Sequence, residues 1–175
     1  MMFVSLGIGI VVAITLISVV SYFTGGKVTT PLSQSALVGT KVPAFGGTSP
    51  NGTAVTAPWK SGHPAVLVFF ASWCTVCHEE LPAVSSYLKS HYLGNVEVAG
   101  VNYLDSPSKG AAIAKATGFT YPILEDGGSV TQGLFYFAGL PDTVFVNAKG
   151  VVTDVVSKAI TTAQLAAGLA SLQGV

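Results

Sequence analysis

Charge is scarce in this sequence. Eight basic and eight acidic side chains among 175 residues leave a formal net charge of zero, so the chain has no field that would gather phosphate backbones or anionic lipid. Nucleic-acid binding is set aside on that ground. Cysteine is scarcer still. Cys74 and Cys77 are the only two, so no further pair exists to staple loops, and a bridge between them closes a very short ring. Such a pair argues for redox chemistry over stabilisation. Methionine occurs only at Met1 and Met2, and the three histidines are scattered, which leaves few ligands for a closed zinc site or for haem iron. Neither a metal nor a cofactor is expected.

What the sequence has in abundance is apolar residues, half of the chain. Much of the excess lies at the start: Met1 to Gly26 contains no charged side chain, and Phe3 to Val20 reads FVSLGIGIVVAITLISVV. At 1.5 Å per residue, about 20 such residues span the ~30 Å hydrocarbon layer. Tyr22 and Phe23 then stand where interfacial aromatics belong, with Lys27 beyond. Residues 1–23 are expected to be a transmembrane anchor. A cleaved secretory signal is the competing reading, but the run exceeds a usual signal core, lacks a basic start and is followed by no clear small-residue cleavage site. The lone Lys27 weakly favours a cytoplasmic C-terminal side. Residues 24–38, rich in Gly, Ser and Thr, read as a flexible linker, and residues 39–175 as one domain.

Within that domain Ala65 to Phe70 (AVLVFF) is a continuous apolar run, as in a strand buried on both faces. Glu79 to Tyr92 carries Leu81, Val84, Leu88 and Tyr92 at helical spacing, with Pro82 kinking its first turns. Val96 to Asn102 and Tyr121 to Leu124 read as strands, and Ser108 to Thr117 and Ser129 to Phe137 as helices. Thr143 to Val146 and Val151 to Ser157 flank the turn Asn147 to Gly150, and Thr162 to Leu172 makes a closing helix. Pro43-Ala-Phe45 and Val55 to Trp59 suggest an added hairpin around Asn51-Gly52. The alternation predicts an α/β domain with a mixed sheet covered on both faces.

Trp73-Cys74-Thr75-Val76-Cys77 falls where a buried strand ends and a helix begins. There the helix dipole and free amides favour a Cys74 thiolate, and lowering its pKa from about 8.5 to about 7 raises the thiolate fraction to about half at neutral pH. Cys74 is thus read as the attacking nucleophile. Cys77, one turn on, is placed to resolve a mixed disulfide and leave a Cys74–Cys77 bridge. Rival chemistries share parts of this pattern. Cys74-Thr-Val-Cys77-His78 also fits c-type haem attachment, for which a sixth ligand would have to be His63, His91 or something exogenous. A peroxidatic cysteine also sits at a helix start, but Ala71 occupies the position three residues earlier where such sites use Thr or Ser.

The segment Val66 to Pro82, VLVFFASWCTVCHEELP, resembles the active-site signature of the thioredoxin superfamily, and more narrowly its TlpA/ResA-like branch. The resemblance runs from about Gly39 to the C-terminus and takes in Gly139-Leu-Pro141-Asp-Thr-Val-Phe-Val146. It implies a thioredoxin-like mixed sheet flanked by helices. It also implies a cis Pro141 facing the cysteines, Trp73 covering the disulfide, and Glu80 as proton acceptor or tuner of the thiols. Three features depart from the common thioredoxin pattern: Val68 replaces a buried acid, Thr75-Val76 lacks a proline, and Asp142 follows the proline. A charge at Asp142 near Cys74 would disfavour the thiolate and make the pair more reducing.

By this resemblance the chain is a membrane-tethered thiol-disulfide oxidoreductase. The resemblance implies a domain outside the cytoplasmic membrane that reduces disulfides in exported proteins such as apocytochrome c. Protein disulfide or dithiol substrates and a membrane thiol donor are the implied partners. Oxidative folding or general disulfide exchange is the alternative direction. A non-catalytic binding module is disfavoured by Trp73, Cys74, Cys77 and Pro141 occurring together.

Overall fold

The computed structural model describes residues 36–42, 45–48, 52–126 and 139–173. The expected anchor at 1–23, nearly all of the linker, Pro43, Ala44, Asn51 and the expected helix Ser129–Phe137 lie outside the described residues. Among the described residues, no helix is long and apolar enough to cross a membrane.

The described strands are β1 (Gly46–Thr48), β2 (Ala54–Thr56), β3 (Ala65–Phe70), β4 (Glu97–Tyr103), β5 (Ile123–Asp126), β6 (Asp142–Val146) and β7 (Val152–Val156). Helices α1 (Thr75–Ser90), α2 (Pro107–Ala116) and α3 (Thr162–Gln173) alternate with them, and a 3-10 turn covers Pro58–Ser61. The sheet order is β2-β1-β5-β4-β3-β6-β7. β3 runs parallel to β4 and antiparallel to β6, so the sheet is mixed and β3 is central.

Every residue of β3 is buried, as its unbroken apolar run predicts. Alternation sorts its side chains by face. Val66, Val68 and Phe70 join Leu81, Val84 and Leu88 of α1, Ile113 of α2 and Leu165 and Leu169 of α3. Leu67 and Phe69 meet Leu37, Val42, Phe45 and Trp59 on the other face. Burying each such side chain contributes roughly 1.5–3 kcal/mol, which holds the loop after β3 on a rigid base. Leu37, in the expected linker, is 1% exposed and so belongs to the packed domain.

Several boundaries differ from the sequence reading. Helix α1 starts at Thr75 with Cys74 as its cap, as the sequence places it, and Cys77 continues the apolar face of Leu81, Val84 and Leu88. It ends at Ser90, since His91 adopts an extended conformation, and Tyr92 is therefore outside the helix and exposed. Strand β2 stops at Thr56 because Pro58 opens the 3-10 turn, which carries Trp59. Tyr121 precedes β5 and packs edge-on against Phe119. The β6–β7 turn forms as expected: Asn147 Oδ1 accepts from the Lys149 and Val151 amides, both at 3.0 Å.

Candidate active site

Cys74 is the N-cap of α1, and its Sγ accepts the Cys77 amide at 3.1 Å. The two sulfurs form a disulfide with an S–S distance of 2.06 Å. Cys77 is fully buried and Cys74 is 6% exposed, so of the two cysteines only the first has any contact with solvent. This follows from the local sequence. The rigid end of β3 delivers the chain to the cap position, and Cys77, one turn along, falls on the face that α1 turns to the core.

The turn before the cap is held at several points. The Cys74 amide donates to the Ala71 carbonyl at 3.1 Å. The Ser72 amide donates to Asp105 Oδ2 at 2.7 Å, and the Trp73 indole nitrogen to the Leu104 carbonyl at 3.5 Å. Trp73, Val76 and Leu104 are exposed, giving an apolar rim beside a disulfide.

The β3–β6 register sets Asp142 opposite Phe69, so the chain passes Pro141 at the end of β3 from which the cysteines leave. The Leu140–Pro141 bond is cis, as the resemblance implies. Two carboxylates are buried in the elements of this junction, Glu80 on α1 at 6% and Asp142 at the start of β6 at 1% exposure. Burial pushes Glu80 up to about 7, against the backbone of Ile160, which lowers it, and with the nearby Asp142 charge, which raises it. Burial likewise pushes Asp142 up to about 7, partly offset by the Ser157 hydroxyl. Glu79, next in sequence, points to solvent.

Of the residues singled out from sequence, Cys74, Cys77, Trp73 and Glu80 sit on one strand-to-helix junction, and the β3–β6 pairing brings the segment of Pro141 and Asp142 to it. Three residues at the end of β4 and in the β4–α2 loop were missed. Leu104 has a φ of 48°, the left-handed region rare for a branched side chain. Asp105 binds the turn, and buried Asn102 ties that loop to the sheet through bonds to the Asp105 and Ser106 carbonyls and to Glu125. The signal was there in part, since loops at the carboxyl ends of parallel strands are where α/β folds place ligands.

Residues 38–155 match the AhpC/TSA family. The chain belongs to that family. Among curated AhpC/TSA-like relatives, the thiol:disulfide interchange protein DsbE of Yersinia pestis is 32% identical over 123 residues, covering 68% of this chain and 63% of that protein. The chain thus spans less than two thirds of that relative's length. The thiol-disulfide oxidoreductase ResA of Bacillus subtilis is 26% identical over 128 residues, 73% of this chain and 72% of that one. Among solved structures, MTB dsbF in mixed oxidised and reduced forms superposes with a TM-score of 0.61 at 31% identity, covering 73% of this chain and 94% of that one. The thioredoxin-like sheet is common to these folds.

Proposed function

We propose that this protein is a thiol-disulfide oxidoreductase in which Cys74 attacks and Cys77 resolves. The observation that carries the reading is the Cys74–Cys77 disulfide at the N-cap of α1, with Cys74 slightly exposed and Cys77 fully buried. In the reducing direction, the Cys74 thiolate attacks one sulfur of a substrate disulfide, and the other sulfur leaves as a thiolate. Cys77, as thiolate, then attacks Cys74 Sγ and expels the second substrate thiolate. Two electrons pass to the substrate, and the pair ends oxidised. Glu80, one turn along α1 from Cys77, is the proposed acceptor of that thiol's proton: a carboxyl near 7 is half ionised at neutral pH and exchanges protons readily there. Trp73 and Pro141 border the surface along which a substrate chain lies.

The names of the relatives support disulfide exchange, the apolar N-terminal run supports tethering to the cell membrane, and the family resemblance, against the weak lean of Lys27, favours the extracytoplasmic side for the domain. In that setting the substrates are disulfides of exported proteins, apocytochrome c among them, and a membrane thiol donor recharges the pair. The opposite flow of electrons, oxidative folding, uses the same site. Insulin reduction by the full-length protein with dithiothreitol as donor tests the chemistry: turnover lost on Cys74→Ser is the expected result, and turnover unaffected by that change would end the proposal. A redox titration of the same protein fixes the direction, a strongly oxidising potential contradicting the reductant role. Labelling of Cys74 in intact reduced cells by an impermeant thiol reagent is expected, and protection until lysis would place the domain inside.

A further inference from the structure

Ser72 is gripped from both sides. Its amide donates to Asp105 Oδ2 at 2.7 Å, from the loop after β4. Its carbonyl lies 3.0 Å from Nε2 of His78, on the first turns of α1. A carbonyl only accepts, so the His78 proton at this contact is on Nε2. The other Asp105 oxygen accepts the Ser106 amide at 2.8 Å, so the carboxylate bridges the two loops that frame the disulfide. Asp105 is itself held in place. Asn102, fully buried, donates to the Asp105 carbonyl at 3.3 Å and to Glu125 at 2.9 Å. An added methyl on Gly110 of α2 would come within 2.4 Å of the Asn102 amide, so that side chain has no room to swing. Although burial alone would raise the Asp105 carboxyl, the bonds from Ser72 and Ser106 and the charge of Lys109 hold it below the usual range. It is ionised at neutral pH and grips with charge-assisted bonds.

The bond from the Trp73 indole to the Leu104 carbonyl is long, at 3.5 Å, and cannot fix a ring that is 58% exposed. The backbone that carries the ring must do so. We propose that Asp105 and His78 are positioning residues, which clamp Ser72 from opposite sides and thereby hold Trp73 and the Cys74 cap in the attitude that disulfide exchange needs. Neither side chain touches the reacting sulfurs. This rests on the exchange chemistry proposed above for the kinetic part, whereas the attitude of Trp73 can be read without any turnover.

The test compares Asp105→Ala, Asp105→Asn, His78→Ala and His78→Gln in the full-length protein. Trp73 emission is isolated by subtracting a Trp73→Phe sample, which reports Trp59 alone. Asp105→Ala and His78→Ala are each expected to shift Trp73 emission towards that of a free indole and to shrink its change on reduction of the disulfide. Both should lower kcat/KM for insulin on the order of tenfold, as misplacement of a positioned group does. Asp105→Asn keeps one acceptor, and His78→Gln keeps an N–H donor, so both are expected to recover most of the signal and the rate. His78 is exposed, and its variants fold even if loss of Asp105 proves disruptive. Trp73 emission unmoved in both alanine variants would overturn the clamp whatever the rate does. So would conservative variants no better than alanine. If the wild-type protein shows no turnover, the exchange reading fails, and the emission series still decides the clamp.

Discussion

Trp59 is 9% exposed, meets Phe45 edge-on at 6.1 Å and lies against Gly150, whereas Trp73 is 58% exposed and has a single long bond to a loop carbonyl. The surroundings differ in the same sense. Apolar side chains from the N-terminal segment, β3 and β6 close over the region of Trp59. Around the cysteines Val76 and Leu104 are open to water, while Glu80 and Asp142 are buried. Apolar surface left in water and acids taken out of water both cost stability. One region is built for packing, and the other keeps local costs that only chemistry explains.

Truncating each tryptophan should separate the two regions most strongly. Trp59→Ala is expected to destabilise the domain by about 3–5 kcal/mol, read by urea unfolding, with little change in exchange by the remaining folded protein. Trp73→Ala should cost less than about 1 kcal/mol, because so little of it is buried, yet slow exchange on the order of tenfold. Equal effects on stability would erase the distinction.

Gly168 sharpens the picture of the packing side. It sits inside α3, where alanine is ordinarily the better residue by about 1 kcal/mol. Here an added Cβ would fall 2.1 Å from the buried Phe145 ring, so Gly168→Ala should instead destabilise by about 1–3 kcal/mol, measured by thermal melting. Insulin turnover of the folded fraction should stay the same.

The buried acids give the site its own dependence on pH. Glu80 and Asp142 rise from ordinary values of 4.5 and 3.8 to about 7, so the folded state holds their protons more tightly than the unfolded state does. Their stabilisation is fully present below those ordinary values and is lost as pH climbs through about 7. At ~1.4 kcal/mol per unit, the loss is on the order of 3 kcal/mol for Glu80. Melting temperature should therefore fall between about pH 5 and pH 8, and Glu80→Gln should flatten that slope. Glu79→Gln, on the exposed neighbour, should change stability by less than about 0.5 kcal/mol and leave the slope alone. A Glu80→Gln slope matching wild type would show that burial does not govern the carboxyl.

How far the sequence led depended on how local each signal was. The run Ala65 to Phe70 gave β3 to the residue, because a strand buried on both faces needs no partner to be recognised. The start of α1 was legible because Cys74 follows the buried run of β3 directly, where the helix begins. Tyr92 continued the helical spacing on paper, but the helix had already ended. Cys74, Cys77, Trp73 and Glu80 were legible together, since a single strand-to-helix junction carries all four. Asp105 was not, because its partner Ser72 comes to it only through the parallel pairing of β3 with β4. The closeness of Glu80 to Asp142 was hidden for the same reason, being set by the antiparallel register of β6.

The most direct test of the central claim is covalent. Reduced Cys77→Ser protein, mixed with a disulfide-bonded peptide and analysed by peptide mass mapping, should accumulate the peptide on Cys74 as a stable mixed disulfide. Cys74→Ser should accumulate none, because its remaining thiol is fully buried. Peptide trapped on Cys77, or on neither sulfur, would contradict the account.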